Sequence, residues 1–330
     1  MSIPIIDLVV IVAYLVGVTA AGLLSVRRRK LTGEVYFLAG RALPWGIVGA
    51  ALFSSNISTI HLVGLAEAGY RHGLVIGNFE WMATFTLILL ALVFAPFYYR
   101  TRISTLPEFL ERRYGPAVRT VVAAMAIAAA LLIHIGISLY AGAAVLREFF
   151  GVDVIVSIVL IAAITAIYTV IGGLRAVVIT ETIQTAVLLL GAVIVTTLAF
   201  AALPGHGIDS LAAFREAVKP DQLSMLHSSN EAGYAWYAIL LGYPVLGIWY
   251  WCTDQTIVQR VLGARTERDA QHGALFAGLL KILPVFIMVL PGVVAWVLFR
   301  DRIGADATQT LPLLIRELVP TGLRGLIAAA

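Results

Sequence analysis

The chain has 330 residues, of which 60% are hydrophobic and 13% are charged, and its formal net charge is +4. About a quarter of the residues of a soluble domain are charged, so this composition excludes a soluble globular protein and indicates a polytopic membrane protein. The basic residues lie in short stretches between apolar runs, which argues against a nucleic-acid partner. The single cysteine, Cys252, excludes an intrachain disulfide bond.

Eight apolar runs are long enough to cross a bilayer as helices. They lie at 4–26, 43–66, 77–98, 117–146, 153–171, 176–202, 233–258 and 270–299. The first run is long enough to span and has no basic region before it, which favours a retained helix over a cleaved signal peptide. Another apolar run begins at Leu326, so we expect the chain to stop within a ninth span and to be part of a longer protein.

The distribution of lysine and arginine predicts the orientation of these spans. One set of loops holds 14 basic residues, including the run Arg27-Arg28-Arg29-Lys30, and the opposite set holds 8. The richer set is expected to be cytoplasmic, which places the N-terminus outside. The excess of arginine over lysine and the short loops favour the plasma membrane of a bacterium, that is, a bacterial inner membrane.

Two connecting segments are expected to contain short helices outside the bilayer. Residues 203–232 form the longest external loop, and they carry a helical pattern at 211–218. The predicted cytoplasmic segment 104–113 has a hydroxyl residue, a proline, and then acidic residues before basic ones, which is typical of a helix start. We expect this helix to lie along the membrane surface.

A polar interruption lies in the middle of the second run, at Ser54-Ser55-Asn56-Ile57-Ser58-Thr59. Hydroxyl and amide groups at this depth are expected to face protein or a water-filled cavity, because lipid cannot hydrogen-bond to them. A broken helix would expose carbonyl oxygens suited to Na⁺, as in transporter binding sites. Alternatively, the hydroxyls bond back to the backbone and merely bend the helix. The sequence pattern alone leaves both interpretations open.

Ionisable residues in or beside the spans are candidates for a binding site, because they are costly in lipid. They are His61, Glu80, His134, Asp254 and Lys281. A helical hairpin would bring His61 close to Glu80, where the two could bind a polyhydroxylated solute. Alternatively, a hydrogen bond between His61 and Glu80 only holds two helices together and has no role in binding. For His134, which has no polar neighbour in the sequence, a packed structural histidine is the favoured interpretation.

A second interruption is expected at Gly242-Tyr243-Pro244, because proline removes a backbone donor in mid-span. The aromatic and polar residues at 249–255 follow it. Such a cluster suits a sugar ring, although an interfacial aromatic belt is the alternative. Matching breaks in spans two and seven are typical of inverted-repeat transporters. The pattern favours a secondary transporter over a channel or a membrane enzyme, and the sequence shows no metal-ligand cluster, phosphate loop or nucleophile–base arrangement.

The residues resemble the sodium:solute symporter family, and most of all its sodium/glucose cotransporter branch. The matching motifs are Tyr36-Phe37-Leu38-Ala39-Gly40-Arg41, residues 54–73, Phe79-Glu80-Trp81, Leu106-Pro107-Glu108-Phe109, residues 172–177, 180–184 and 249–260, and Lys281-Ile282-Leu283-Pro284. The resemblance covers nearly the whole chain, and the motif Trp249-Tyr250-Trp251-Cys252-Thr253-Asp254-Gln255 is specific to the sugar-type branch.

The resemblance implies an all-α fold of the leucine-transporter type, with two inverted repeats that each contain a broken helix. Residues 1–330 would form one transmembrane domain, in which 4–26 is an extra N-terminal helix and 43–202 is the first repeat. The external loop 203–232 would then lead into the second repeat at 233–330. This repeat would be incomplete and cut off in its third helix.

The resemblance also implies roles for individual residues. His61 and Glu80 match the sugar-hydroxyl contacts of the family, and Asn56 matches a polar contact beside them. Lys281 matches a lysine that reaches sugar hydroxyls. Tyr250 matches the aromatic gate that stacks under the sugar, and Trp251 is its neighbour.

Backbone carbonyls at Ser54 and Ile57 match two ligands of the co-transported sodium ion, and the remaining ligands would lie beyond Ala330. Three positions depart from the family pattern. Gly247 and Ala83 stand where other members have polar side chains, which puts the particular solute in doubt. Glu181 stands where aspartate is frequent, and it keeps the charge.

These observations predict a transporter, not an enzyme, that couples sodium influx to uptake of a sugar or polyol by alternating access. The expected partners are the solute, Na⁺ and the lipid bilayer, with no nucleic acid and no obligate protein partner. One alternative is the same fold with another small solute, such as a carboxylate or an amino acid. Another is a solute sensor that has the transporter fold and is joined to a signalling domain.

Overall fold

The computed structural model describes residues 4–26, 32–57, 59–228 and 234–329. Within these ranges the chain is helical, with two isolated β-bridges and no β-sheet. The α-helices are α1 Ile5–Leu24, α2 Gly33–Leu38, α3 Trp45–Asn56, α4 Thr59–His72, α5 Asn78–Leu89, α6 Ala95–Thr101, α7 Leu106–Tyr114, α8 Pro116–Ala129, α9 Gly136–Phe150, α10 Val154–Ala202, α11 Leu211–Ala217, α12 Trp236–Gly247, α13 Gln255–Leu262, α14 Glu267–Leu280, α15 Leu290–Ile303, α16 Thr310–Leu318 and α17 Leu323–Ala329.

Among the described residues, five helical runs are long and apolar enough to cross a membrane. They are Ile5–Leu24, His61–Thr101, Pro116–Arg147, Val154–His206 and Glu267–Ile303. The predicted spans at 43–66 and 233–258 are absent from this set, and each contains a residue that leaves the helix, Ile57 and Asp254 respectively. The count of eight spans therefore stays a prediction. The basic run at 27–30, which supports the predicted orientation, lies outside the described residues.

The spans predicted at 153–171 and 176–202 meet at a sharp turn within α10. Gly173 makes this turn, with φ 57° and ψ −158°, a conformation that L-residues with side chains rarely adopt. A Cβ atom at this position would lie 2.4 Å from the carbonyl oxygen of Tyr36. Glycine therefore both allows the reversal and lets the backbone approach α2 closely.

The second predicted span is broken, as the polar interruption indicates. Helix α3 ends at Asn56, and Ile57 leaves the helix with φ −77° and ψ 118°. Helix α4 begins at Thr59, while Ser58 lies outside the described residues. The Ser55 hydroxyl also lies 2.6 Å from the carbonyl oxygen of Ala51, so back-bonding to the helix occurs beside the break.

The seventh predicted span is also broken, but not at the predicted position. The expectation of a break at Gly242-Tyr243-Pro244 is wrong, because α12 continues through Pro244 to Gly247 and a π-helical turn follows at Ile248–Thr253. The chain leaves the helix at Asp254, whose Oδ1 accepts a hydrogen bond of 2.8 Å from the backbone N–H of Thr256. Asp254 is thus the N-cap of α13, which explains an acidic residue within this run.

Helix α3 lies at the centre of the fold, where it packs against α14 and α10. Helix α4 packs against α15 with its backbone in close approach: a Cβ at Gly292 would lie 2.0 Å from the Ala66 carbonyl oxygen, and one at Gly69 would lie 2.1 Å from that of Val289. Small residues at helix interfaces permit such contact in membranes.

His134 is exposed on the surface, so the interpretation as a packed histidine is wrong.

Two connecting segments form the predicted short helices. In the loop after α10, α11 forms at the expected place. Lys219 follows it, and its Nζ lies 3.6 Å from the ring centroid of Trp296. Burial and the nearby Arg71 lower the pKa of Lys219. Gln222, which is buried, donates a hydrogen bond of 3.1 Å to the carbonyl of Tyr70 at the end of α4.

On the predicted cytoplasmic side, α7 begins with a capping box. The Thr105 hydroxyl accepts from the Glu108 backbone N–H at 3.2 Å, and the Glu108 carboxylate accepts from the Ser104 N–H at 2.7 Å. Partial burial acts to raise the pKa of Glu108, but the hydrogen bonds from Ser104 and Arg112 outweigh it and hold the pKa below its usual value. The reciprocal bonds fix the start of α7.

Candidate functional site

A buried lysine lies at the centre of the candidate site. Lys281 follows the last residue of α14 and is 1% exposed. Its Nζ donates a hydrogen bond of 2.6 Å to Oε2 of Glu80, a buried residue near the start of α5. The same Nζ also donates to the side-chain oxygen of Asn56, the last residue of α3. Three side chains from three helices, distant in sequence, therefore meet at the break in the second span.

The ion pair between Lys281 and Glu80 is almost completely removed from water, since the two side chains are 1% and 6% exposed. Burial of two charges is costly, and it is tolerated only where the charges are paired and hydrogen-bonded. Because the charges cancel and the Asn56 oxygen is neutral, the site has no net charge from these three groups.

Aromatic rings enclose this polar group. The Lys281 Nζ lies 5.4 Å from the ring centroid of Trp251 and 5.6 Å from that of Phe53. Trp251 is 1% exposed, and Tyr250 packs edge-on against it with ring centroids 5.0 Å apart. The Tyr250 hydroxyl lies close enough to the Asn56 side chain to interact with it. An aromatic wall next to hydrogen-bonding groups is the arrangement that sugar rings require.

His61 lies on α4, just beyond the break. Its imidazole is close enough to Lys281 and Glu80 to interact electrostatically with both. The expected proximity of His61 and Glu80 is therefore present, with Lys281 as a third member of the group. The structure thus brings together all six residues that the sequence nominates for the solute: Asn56, His61, Glu80, Tyr250, Trp251 and Lys281. Their role in solute binding is a proposal.

The two residues nominated for sodium lie on the same break. Ser54 belongs to the last turn of α3, where carbonyl oxygens have no partner within the helix. Ile57 is the first residue in extended conformation, and its N–H donates to the Phe53 carbonyl at 3.1 Å. Carbonyl oxygens are ligands that hard cations such as Na⁺ prefer. The donor type fits the predicted ion, and the assignment of Ser54 and Ile57 stays a prediction.

A second ion pair, largely buried, lies next to the break, and no local sequence pattern indicates it. Arg260 of α13 donates to Glu181 of α10 at 2.5 Å, and their side chains are 8% and 15% exposed. The Ser55 hydroxyl lies 3.2 Å from the same carboxylate oxygen. Glu181 Oε2 and Arg260 Nε have no hydrogen-bond partner among the described residues. Three helices, α3, α10 and α13, are thus joined beside the site.

A helix broken at its midpoint, a buried group of polar and aromatic residues beside the break, and a second broken helix that contributes to it are features typical of the inverted-repeat folds of membrane transporters. The family model described as "SSF: Sodium:solute symporter family" matches residues 36–330. The chain belongs to the sodium:solute symporter family.

Similar proteins include sodium/myo-inositol cotransporter 2 of Mus musculus, which is 38% identical over 352 residues, corresponding to 98% of this chain and 52% of the relative. Sodium/glucose cotransporter 1 of Ovis aries is 34% identical over 357 residues, or 97% of this chain and 54% of that protein. The chain therefore spans about half the length of the curated relatives it matches.

A solved structure with a similar fold is that of a Na⁺-coupled sialic acid symporter in a substrate-bound outward-open state. The TM-score is 0.85 at 24% sequence identity, and the match covers 98% of this chain and 68% of the other. At this identity the likeness concerns the fold alone. It confirms the predicted leucine-transporter-type architecture of helices.

Proposed function

We propose that the protein containing this chain couples the inward movement of Na⁺ to the uptake of a sugar or polyol, with the N-terminus outside a bacterial inner membrane. The observation that carries the proposal is the buried Lys281–Glu80–Asn56 group, enclosed by aromatic rings at a helix break. Relatives named for myo-inositol and glucose cotransport support the same solute class.

The charge balance of the site favours a neutral solute. Hydroxyl groups both donate and accept hydrogen bonds, so a polyol can donate to Glu80 and accept from Lys281 without leaving either charge unpaired. A carboxylate ligand would pair with Lys281 only by competing with Glu80 and by approaching a like charge. The site therefore argues against the alternative of a carboxylate substrate.

The aromatic residues would supply the second half of recognition. The apolar face of a sugar ring packs favourably on an aromatic ring, and Tyr250 is positioned beside both Trp251 and Asn56. In this role Tyr250 would also close the inward path below the solute. Tyr250 lies in the π-helical turn directly before the second break, so movement of that turn would move the aromatic ring with it.

Coupling requires that sodium bind one conformation more tightly than the other. In our proposal the carbonyls of Ser54 and Ile57 bind Na⁺ in the outward-facing state, which fixes the end of α3. Asn56 lies between them, so the same event would fix one of the solute contacts. The shared helix end thus provides a physical link between ion and solute.

A binding assay tests the solute class directly. Purified protein containing this chain is titrated with myo-inositol, glucose and small carboxylates, with tryptophan quenching as the signal. We expect sugars or polyols to bind and His61→Ala to weaken them strongly, while His134→Ala, which removes an exposed histidine, leaves binding unchanged. Preferential binding of carboxylates would contradict the proposal. Similar protein yield for both variants separates a binding role of His61 from a structural one.

A further inference from the structure

A cavity lies on the predicted cytoplasmic face, away from the solute site. It has a volume of about 520 Å³ and is lined by residues of α2, the turn after it, the segment that joins α6 to α7, and α13. Two arginines, Arg41 and Arg102, line it together with Glu34, Phe37, Thr105 and Gln259. None of these residues belongs to the candidate solute site, and the cavity needs an explanation of its own.

The two arginines of the cavity share an unusual backbone conformation. Arg41 has φ 48° and Arg102 has φ 53°, and they are two of the four non-glycine residues with positive φ in the described ranges. Arg102 is the C-cap of α6, a position where glycine or asparagine is the usual left-handed residue. Backbone strain of this kind is found most often at binding sites, where the function of the side chain offsets the free-energy cost of its backbone conformation.

Arg41 is held in place by three contacts. Its guanidinium donates to the carbonyls of Ile103 at 3.0 Å and Leu262 at 3.4 Å, and its Nε lies 3.3 Å from a carboxylate oxygen of Glu34. A guanidinium has five N–H donors, so in the described part of the chain two remain for a ligand. The side chain is 12% exposed, which leaves it oriented by the protein before any ligand arrives.

Arg102 supplies the more accessible charge. It is exposed, its guanidinium carbon lies 4.9 Å from the ring centroid of Tyr99, and it forms no ion pair among the described residues. The acidic member of the lining is Glu34, whose side chain is 61% exposed. Phe37, 59% exposed, gives the same cavity an apolar edge.

We propose that this cavity binds a phosphate ester that carries hydroxyl groups, as in the headgroup of an anionic glycerophospholipid. The planar guanidinium groups of Arg41 and Arg102 would bind the phosphate oxygens. Glu34 would accept hydrogen bonds from the hydroxyls, and Phe37 would contact the acyl chains. Basic pockets at the cytoplasmic ends of membrane helices are suited to lipid headgroups in this way.

The test uses native mass spectrometry of the detergent-purified protein that contains this chain, titrated with short-chain phosphatidylglycerol or phosphatidylcholine. Arg102→Asn removes the charge but keeps a residue that tolerates positive φ. Arg113→Asn is the control, because it removes an exposed arginine of the same face that does not line the cavity. Thermal unfolding of both variants checks that the fold is intact.

We expect one phosphatidylglycerol molecule to bind more tightly than phosphatidylcholine, and Arg102→Asn to weaken it about tenfold or more, since a charge-assisted hydrogen bond is lost. Arg102→Lys should retain part of the affinity. Displacement by glycerol 1-phosphate at similar concentration would identify a soluble phosphate ester as the ligand of the same site. Equal binding of both lipids, or equal effects of Arg102→Asn and Arg113→Asn, would overturn the proposal.

Discussion

The buried pair of Lys281 and Glu80 allows a test that separates a structural role from a role in solute binding. Lys281→Met leaves the Glu80 carboxylate buried without its cation, at a position where the two side chains are 1% and 6% exposed. Removal of one partner from such a pair costs about 3–5 kcal/mol of folding stability. The double variant Glu80→Gln/Lys281→Met removes both charges, so most of that loss should be recovered.

The effects of the single and the double variant on stability can be followed at Cys252, the only cysteine of this chain. Cys252 is fully buried, so a thiol-reactive fluorogenic dye labels it as the protein unfolds on heating. We expect a clearly lower midpoint for Lys281→Met and a near-normal one for the double variant. Arg100→Met is the control, since its pair with Glu267 is 2.7 Å long but exposed, so that its loss should leave the midpoint nearly unchanged.

Solute binding gives the decisive comparison for this pair. If Lys281 and Glu80 contact the solute, the double variant should be stable and still fail to bind sugar, because its hydroxyls have lost both charged partners. If the double variant recovers both stability and binding, the pair only holds α5 and α14 together, and the reasoning about the site is refuted.

Further predictions concern the aromatic wall, the second ion pair and the helix interface. Tyr250→Phe should retain most sugar binding, whereas Tyr250→Ala should weaken it at least tenfold in the quenching assay, because the ring is lost. Arg260→Met should lower the unfolding midpoint, and adding Glu181→Gln to that variant should restore much of the midpoint, because the double variant leaves no buried charge. A double variant with a midpoint lower than that of Arg260→Met would contradict this. Gly292→Val should cost about 1–3 kcal/mol by forcing α4 and α15 apart, while Gly17→Val, with open space around it, should be neutral in the same dye assay.

Much of the architecture follows from local features of the sequence. The apolar runs predict the long helices, and the polar residues at 54–59 predict the break at Ile57, because the physical cause of each lies within a few neighbouring residues. The sequence also contains a local signal for the second break, the N-cap residue Asp254. An acidic side chain two residues before Thr256 is a typical N-cap, and it marks the second break better than Pro244 does.

Contacts between distant segments could not be predicted in the same way. Glu80 and Lys281 are 201 residues apart, and Glu181 and Arg260 are 79 apart, so no local pattern indicates either pair. The family resemblance placed Glu80 and Lys281 at one site, but their direct ion pair follows only from the packing of α5 against α14. His134 was misjudged because residue type alone does not show which side of a helix is covered.

The central claim is that sodium drives the uptake of a sugar or polyol through the site at the helix break. It is tested most directly by uptake of labelled myo-inositol and glucose into proteoliposomes that hold the protein containing this chain, with inward gradients of Na⁺ or K⁺. We predict accumulation above the external concentration with Na⁺ alone, and its loss in His61→Ala but not in His134→Ala. Binding without accumulation under either gradient would contradict transport and favour a solute sensor.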